Sequence, residues 1–143
     1  MKRDWDLIRE QLLAIEEDRD FKTAVLGSVA DEPTWKDGQP EAEYAAELAD
    51  FRAREERVYG HLRLLIESGY IDGVNVQRVL SGGYYFTLWK PRLTMAGHDL
   101  LDTIRSKTLW EEVKDTAKEK GLGLTFDTIK ALVPLALKGL VGS

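Results

Sequence analysis

Two runs rich in Val, Tyr, Phe, Thr and Trp, Ile71 to Leu80 and Tyr84 to Trp89, are separated by Ser81-Gly82-Gly83. Consecutive glycines reach the positive φ angles of a tight turn, and β-branched and aromatic side chains favour extended backbone. The segment therefore predicts an antiparallel hairpin. Immediately upstream, Tyr44, Leu48, Phe51, Val58, Leu62, Leu65 and Ile66 form one helical stripe that stops at Gly69, a residue suited to the left-handed position that closes a helix. A helix that feeds a lone hairpin leaves little sheet to bury, so the core has to come largely from helices. A helix-turn-helix would need a break near Asp50 to Arg54. No Gly or Pro marks one and propensity favours continuity, so the pattern leaves open whether 41–68 is one helix or two.

The flanking segments fit a mainly α chain. Trp5, Ile8, Leu12 and Ile15 fall at helical spacing, and Asp4 is placed to cap them. Phe21 to Leu26 reads as a short strand, and Gly27 to Pro40, with its prolines and glycines and no period, as a loop. Pro91 is expected to stop the hairpin and Thr94 to cap a helix burying Leu100, Leu101 and Ile104. Thr108 and Glu111 match a capping box, so a further helix is expected from there to about Gly121. Thr125 opens a last apolar segment that Pro134 is expected to bend or break.

Composition removes several function classes. Without cysteine there is no disulfide, thiolate metal site or thiol nucleophile, which fits a reducing compartment. The N-terminal pattern carries acidic residues and does not resemble a signal peptide, and the most apolar stretch, Leu132 to Val141, is too short to span a bilayer. The expectation is a cytoplasmic protein without membrane contact. A net charge of -5 works against strong non-specific nucleic-acid binding unless a local basic face overrides it.

The order helix, short strand, helices, hairpin, helix resembles that of a winged helix. His61 to Ile71 looks like the junction between recognition helix and wing. More narrowly, the start from Met1 to Arg9 and the block from Arg92 to Asp102 resemble the bacterial and prophage family catalogued as domain of unknown function 2513. Trp110 to Lys114 and Phe126 to Lys130 also resemble it. The resemblance implies a compartment and a fold and carries no catalytic residues. The expected architecture is a winged helix-turn-helix core over 1–106, with a C-terminal helical extension over 107–143 that packs on it or forms a dimer interface.

Within that frame, Arg52, Arg54, Arg57, His61 and Arg63 on the helix and Arg78, Lys90 and Arg92 on the hairpin are the candidate DNA-binding residues. From Gly73 to Gly97 there are three basic residues and no acidic one, a reversal of the chain's overall sign. Cations there would meet backbone phosphates or guanine edges of double-stranded DNA. The competing reading pairs these arginines with Glu55, Glu56 and Glu67 on a solvated face. On the hairpin, Tyr84, Phe86 and Leu88 share the face expected to pack, leaving Tyr85 and Trp89 outward.

His61 and His98 lie in no metal-ligand spacing, no nucleophile, base and orienter can be assembled, and no cofactor motif occurs, so an enzyme is not expected. The last segment is too apolar for a simple surface helix, and Phe126, Ile129, Leu132, Val133, Leu137 and Leu140 are the candidate homodimer interface. Two functions compete: a bacterial or prophage winged-helix DNA-binding protein, such as a transcription regulator, and a winged-helix protein-interaction module contacting a host or phage protein without DNA.

Overall fold

The computed structural model describes residues 2–29 and 31–141; the outer ends of the two expected stretches, residue 1 and residues 142–143, lie outside them. The architecture is mainly α with one two-stranded antiparallel sheet. The chain separates into two compact units, Met1–Thr94 and Met95–Ser143.

In the first unit, α1 (Trp5–Glu16) is capped by the Asp4 carboxylate, which accepts from the amides of Asp6 and Leu7 at 3.0 and 3.2 Å. It buries Trp5, Ile8, Leu12 and Ile15, as the spacing predicts. Phe21–Val25 is a π-helix and not the expected strand. Asp20 caps it by accepting from the Thr23 amide, and Phe21, Val25 and Leu26 are buried while Thr23 is exposed, a pattern that strand alternation, which would put Thr23 on the face of Phe21 and Val25, does not give. A short 3-10 turn follows at Gly27–Val29.

The open question over 41–68 closes on a single helix. α2 runs unbroken over Glu41–Glu67, so no helix-turn-helix break occurs near Asp50 to Arg54. Its buried residues begin only at Phe51. The first three turns stand clear of the core, held by Trp35, whose ring stacks on Tyr44 at 5.4 Å and whose Nε1 donates to the Gln39 carbonyl. Farther along, Phe51, Val58, Leu62 and Leu65 enter the core, each stabilising the fold by on the order of 2 kcal/mol relative to exposure. Gly69, at φ 74°, ends α2 as expected: its amide donates to the Ile66 carbonyl and that of Tyr70 to Leu65.

The hairpin pairs β1 (Ile71–Arg78) with β2 (Tyr84–Leu93), with Val76 opposite Phe86 and Gln77 opposite Tyr85. Contrary to expectation, β2 continues through Pro91. The register shifts between Asp72 and Val74, placing Lys90 and Pro91 at a bulge where the ladder has no use for the amide that proline lacks. Gly73, at φ 80°, makes this possible: a Cβ there would collide with the Lys90 carbonyl. Tyr84 and Phe86 face inward, with Tyr59 stacked on Tyr84 at 5.1 Å and Phe21 at 5.4 Å from Phe86.

The second unit holds α3 (Met95–Ile104), α4 (Lys107–Glu119) and α5 (Phe126–Val141). Ser106, not Thr108, caps α4: its hydroxyl accepts from the Leu109 amide at 3.2 Å, so the Thr108 signature already lies in the first turn. Pro134 sits inside α5 without breaking it. Both Pro134 and Lys130, whose carbonyl loses its donor, are exposed, so solvent can satisfy that carbonyl. Trp110, Val113 and Ala117 of α4 and Ile129, Leu132 and Ala136 of α5 are buried. Among the described residues no helix is long and apolar enough to cross a membrane.

Candidate functional site

The cations proposed for DNA do not form one free basic surface. Arg52 donates to Glu55 at 2.6 Å and reaches Glu32 at 2.5 Å. Arg54 meets Asp50, Arg57 meets Asp4, and Arg63 lies 3.8 Å from Glu67. On the hairpin, Arg78 is held by Glu56 at 3.0 Å and Arg92 by Asp72 at 2.7 Å. Every arginine in the set thus faces a carboxylate, and only Lys90 has no acidic partner among the described residues.

His61 requires a correction. It is 0% exposed, so it cannot reach a groove. Its Nε2 accepts from the Asp4 amide at 2.7 Å and its Nδ1 donates to the Arg57 carbonyl at 2.6 Å, a pairing that fixes the neutral Nδ1–H tautomer. The ring joins α1 to α2.

The arginines also point to different places. Arg52 and Arg78 both line a recess of about 210 Å³ at the glycine turn, together with Glu55, Glu56 and Tyr84. Glu55 is buried there and raises the pKa of Arg52 against the opposing effect of burial. Burial pushes the Tyr84 phenol up, and its hydrogen bond to Glu56 adds to that. Arg57 instead faces the start of α1, and Arg92 lies beside the bulge.

The candidate dimer residues divide likewise. Ile129 and Leu132 are buried in the protein's own interior, which corrects their assignment to an intermolecular face. Phe126 and Val133 are half-buried, while Leu137 and Leu140 are exposed. Leu135 and Val141, which the stripe did not single out, are exposed beside them. On the hairpin, Tyr85 and Trp89 point outward, and Leu88 is also 40% exposed. Among the described residues no three His, Asp or Glu side chains gather as a metal site.

One apolar recess was not visible in the sequence. A cavity of about 320 Å³ opens between the end of α1, the π-helix and β2, walled by Ile15, Phe21, Val25, Leu88 and Pro91. Its parts come from three separated segments, so no local motif announces it.

Residues 2–123 match the family described as "Hypothetical protein (DUF2513)". The chain belongs to this family. An "Uncharacterized protein" of Haemophilus influenzae (strain Rd) is 33% identical over 130 residues, covering 91% of this chain and 90% of that protein. No solved structure is significantly similar. The DUF2513 match takes in the whole first unit as described, together with α3 and α4, whereas α5 lies beyond the matched residues.

Proposed function

We propose that this DUF2513 protein is a cytoplasmic, non-catalytic protein-interaction module with a winged-helix-like order of elements, and that it self-associates through α5. The observation that carries the first part is the neutralisation of its arginines. Seven carboxylates, Asp4, Glu32, Asp50, Glu55, Glu56, Glu67 and Asp72, stand against the six arginines. A phosphate approaching that surface meets as much negative as positive charge, in a chain already at -5. Support for self-association comes from Leu135, Leu137, Leu140 and Val141, exposed around a single charge, Lys138.

DNA binding by a bacterial or prophage regulator is the second reading. It is favoured by Lys90 and by the absence of acidic residues between Gly73 and Gly97. Two measurements separate the readings. Duplex binding is followed by fluorescence anisotropy across a salt series, and oligomeric state by analytical ultracentrifugation of the wild type and of Leu135→Glu/Leu137→Glu/Leu140→Glu. The interaction module shows no duplex binding at micromolar protein, and its dimer dissociates in the triple variant. Tight duplex binding that weakens steeply with salt, lost in Arg78→Gln/Lys90→Gln/Arg92→Gln, would establish the DNA reading instead.

A further inference from the structure

We infer that the cavity walled by Ile15, Phe21, Val25, Leu88 and Pro91 is a socket for an apolar side chain flanked by a basic residue, presented by a partner protein's peptide segment. This deepens the interaction-module reading and rests on it.

Three observations converge on the socket. Five of its nine lining residues are apolar, and its volume of about 320 Å³ suits one large side chain. Next, the two non-glycine residues with positive φ among those described both adjoin it: Asp18 at 56° lines it, and Lys90 at 112° precedes Pro91, which also lines it. Backbone held in such conformations concentrates where function needs a particular shape. A π-helix, itself frequent at functional sites, supplies Phe21 and Val25.

Asp18 is informative by comparison. α1, α2 and α4 end in the same hydrogen-bonded closure; α2 and α4 place Gly69 and Gly121 at its left-handed position, and α1 places Asp18. A carboxylate thus stands at the socket's rim where the backbone favours glycine.

The rim's charge names the occupant. Glu16, Glu17, Asp18, Arg19 and Asp20 follow one another where α1's carbonyl end already carries negative potential. Arg19 is bound by Glu17, leaving Lys22 as the other cation of the lining against Asp18 and Asp20. A cation beside an apolar anchor complements this arrangement, whereas an acidic segment is repelled.

The test is selection of a random displayed peptide library on the immobilised full chain. The enriched peptides are then measured by anisotropy against the wild type, Leu88→Arg and Asp18→Asn/Asp20→Asn. Leu88 is partly exposed, and asparagine preserves both the left-handed turn and the π-helix cap, so thermal melts should show all three folded. Expected are peptides with Trp, Phe or Leu beside Lys or Arg, binding about tenfold more weakly to Leu88→Arg and about threefold more weakly to the asparagine variant. Peptides that bind all three proteins equally, or that lack basic residues, would overturn the socket while leaving an interaction module elsewhere on the surface. Self-association abolished by Leu88→Arg would give the cavity to a second copy, which also overturns the proposal. A chain that enriches no peptide loses the socket; if its oligomer is also indifferent to the α5 substitutions, the interaction-module reading falls with it.

Discussion

His61 ties the capped start of α1 to the C-terminal third of α2: its Nε2 accepts the amide of Asp4, 57 positions away, while its Nδ1 is anchored on the Arg57 carbonyl. Replacing it with alanine leaves that amide without its acceptor and opens a void in a closed interior. His61→Ala should lose on the order of 2 kcal/mol of stability by chemical denaturation. An unchanged midpoint would show that α1 is held by apolar packing alone.

Asp4 also receives Arg57, which makes the same junction sensitive to acid. Burial raises its carboxyl pKa, but the hydrogen bond from Arg57, the Leu7 and Asp6 amides and the guanidinium charge together hold it below its ordinary value. A carboxyl whose pKa is lower folded than unfolded adds stability above the unfolded value, and that stability is lost as pH falls through the folded value. The expected result is a smaller loss of melting temperature between about pH 6 and about pH 2.5 in Arg57→Gln than in the wild type. Identical acid limbs would remove the Asp4–Arg57 pair as a contributor.

At the hairpin bulge, Gly73→Ala forces a methyl group into the Lys90 carbonyl at a backbone conformation that alanine resists. The cost should reach about 2 kcal/mol or more, with loss of β1–β2 amide protection in hydrogen exchange. Protection retained along Val74 to Arg78 would mean that the bulge relaxes freely.

Asp18→Gly should act in the opposite direction. Releasing the left-handed strain at the end of α1 should stabilise the protein by about 1 kcal/mol in a urea titration. If the socket takes a basic segment, the same substitution weakens that binding, so stability and affinity move apart. A variant no more stable than the wild type would show that the aspartate is unstrained there.

Gln11 offers a further check on the core. Its amide nitrogen donates to the Val58 carbonyl, yet among the described residues its Oε1 has no partner despite being buried. Gln11→Met removes that orphan acceptor at nearly constant volume, and the thermal midpoint should hold or rise, by up to about 1 kcal/mol in stability. A marked fall would show that the hydrogen bond to Val58 outweighs the unmet oxygen.

Local chemistry made much of this fold legible. Gly69 announced the end of α2 because only the left-handed position at a helix end rewards glycine so strongly, and the paired glycines at 82 and 83 marked the turn for a similar reason. What stayed hidden depends on distant partners. Pro91 reads as a stop until Gly73, across the hairpin, supplies the bulge that accommodates it. His61 looks like a surface imidazole until α1 folds over it. The arginines read as a basic face because Asp4, Glu56 and Asp72 lie 53, 22 and 20 positions from the residues they bind. The mainly α order around a single hairpin was visible for the same local reasons, but a spacing argument cannot reveal which charges meet.

The bare first three turns of α2 make its outer end a mast. At 1.5 Å per residue the helix is about 40 Å long, and its packed portion starts only at Phe51. Inserting about seven residues, close to two turns, between Tyr44 and Asp50 would raise the Trp35–Tyr44 tip while nearly keeping its bearing. The height at which this tip is carried can therefore be adjusted independently of the body beneath it.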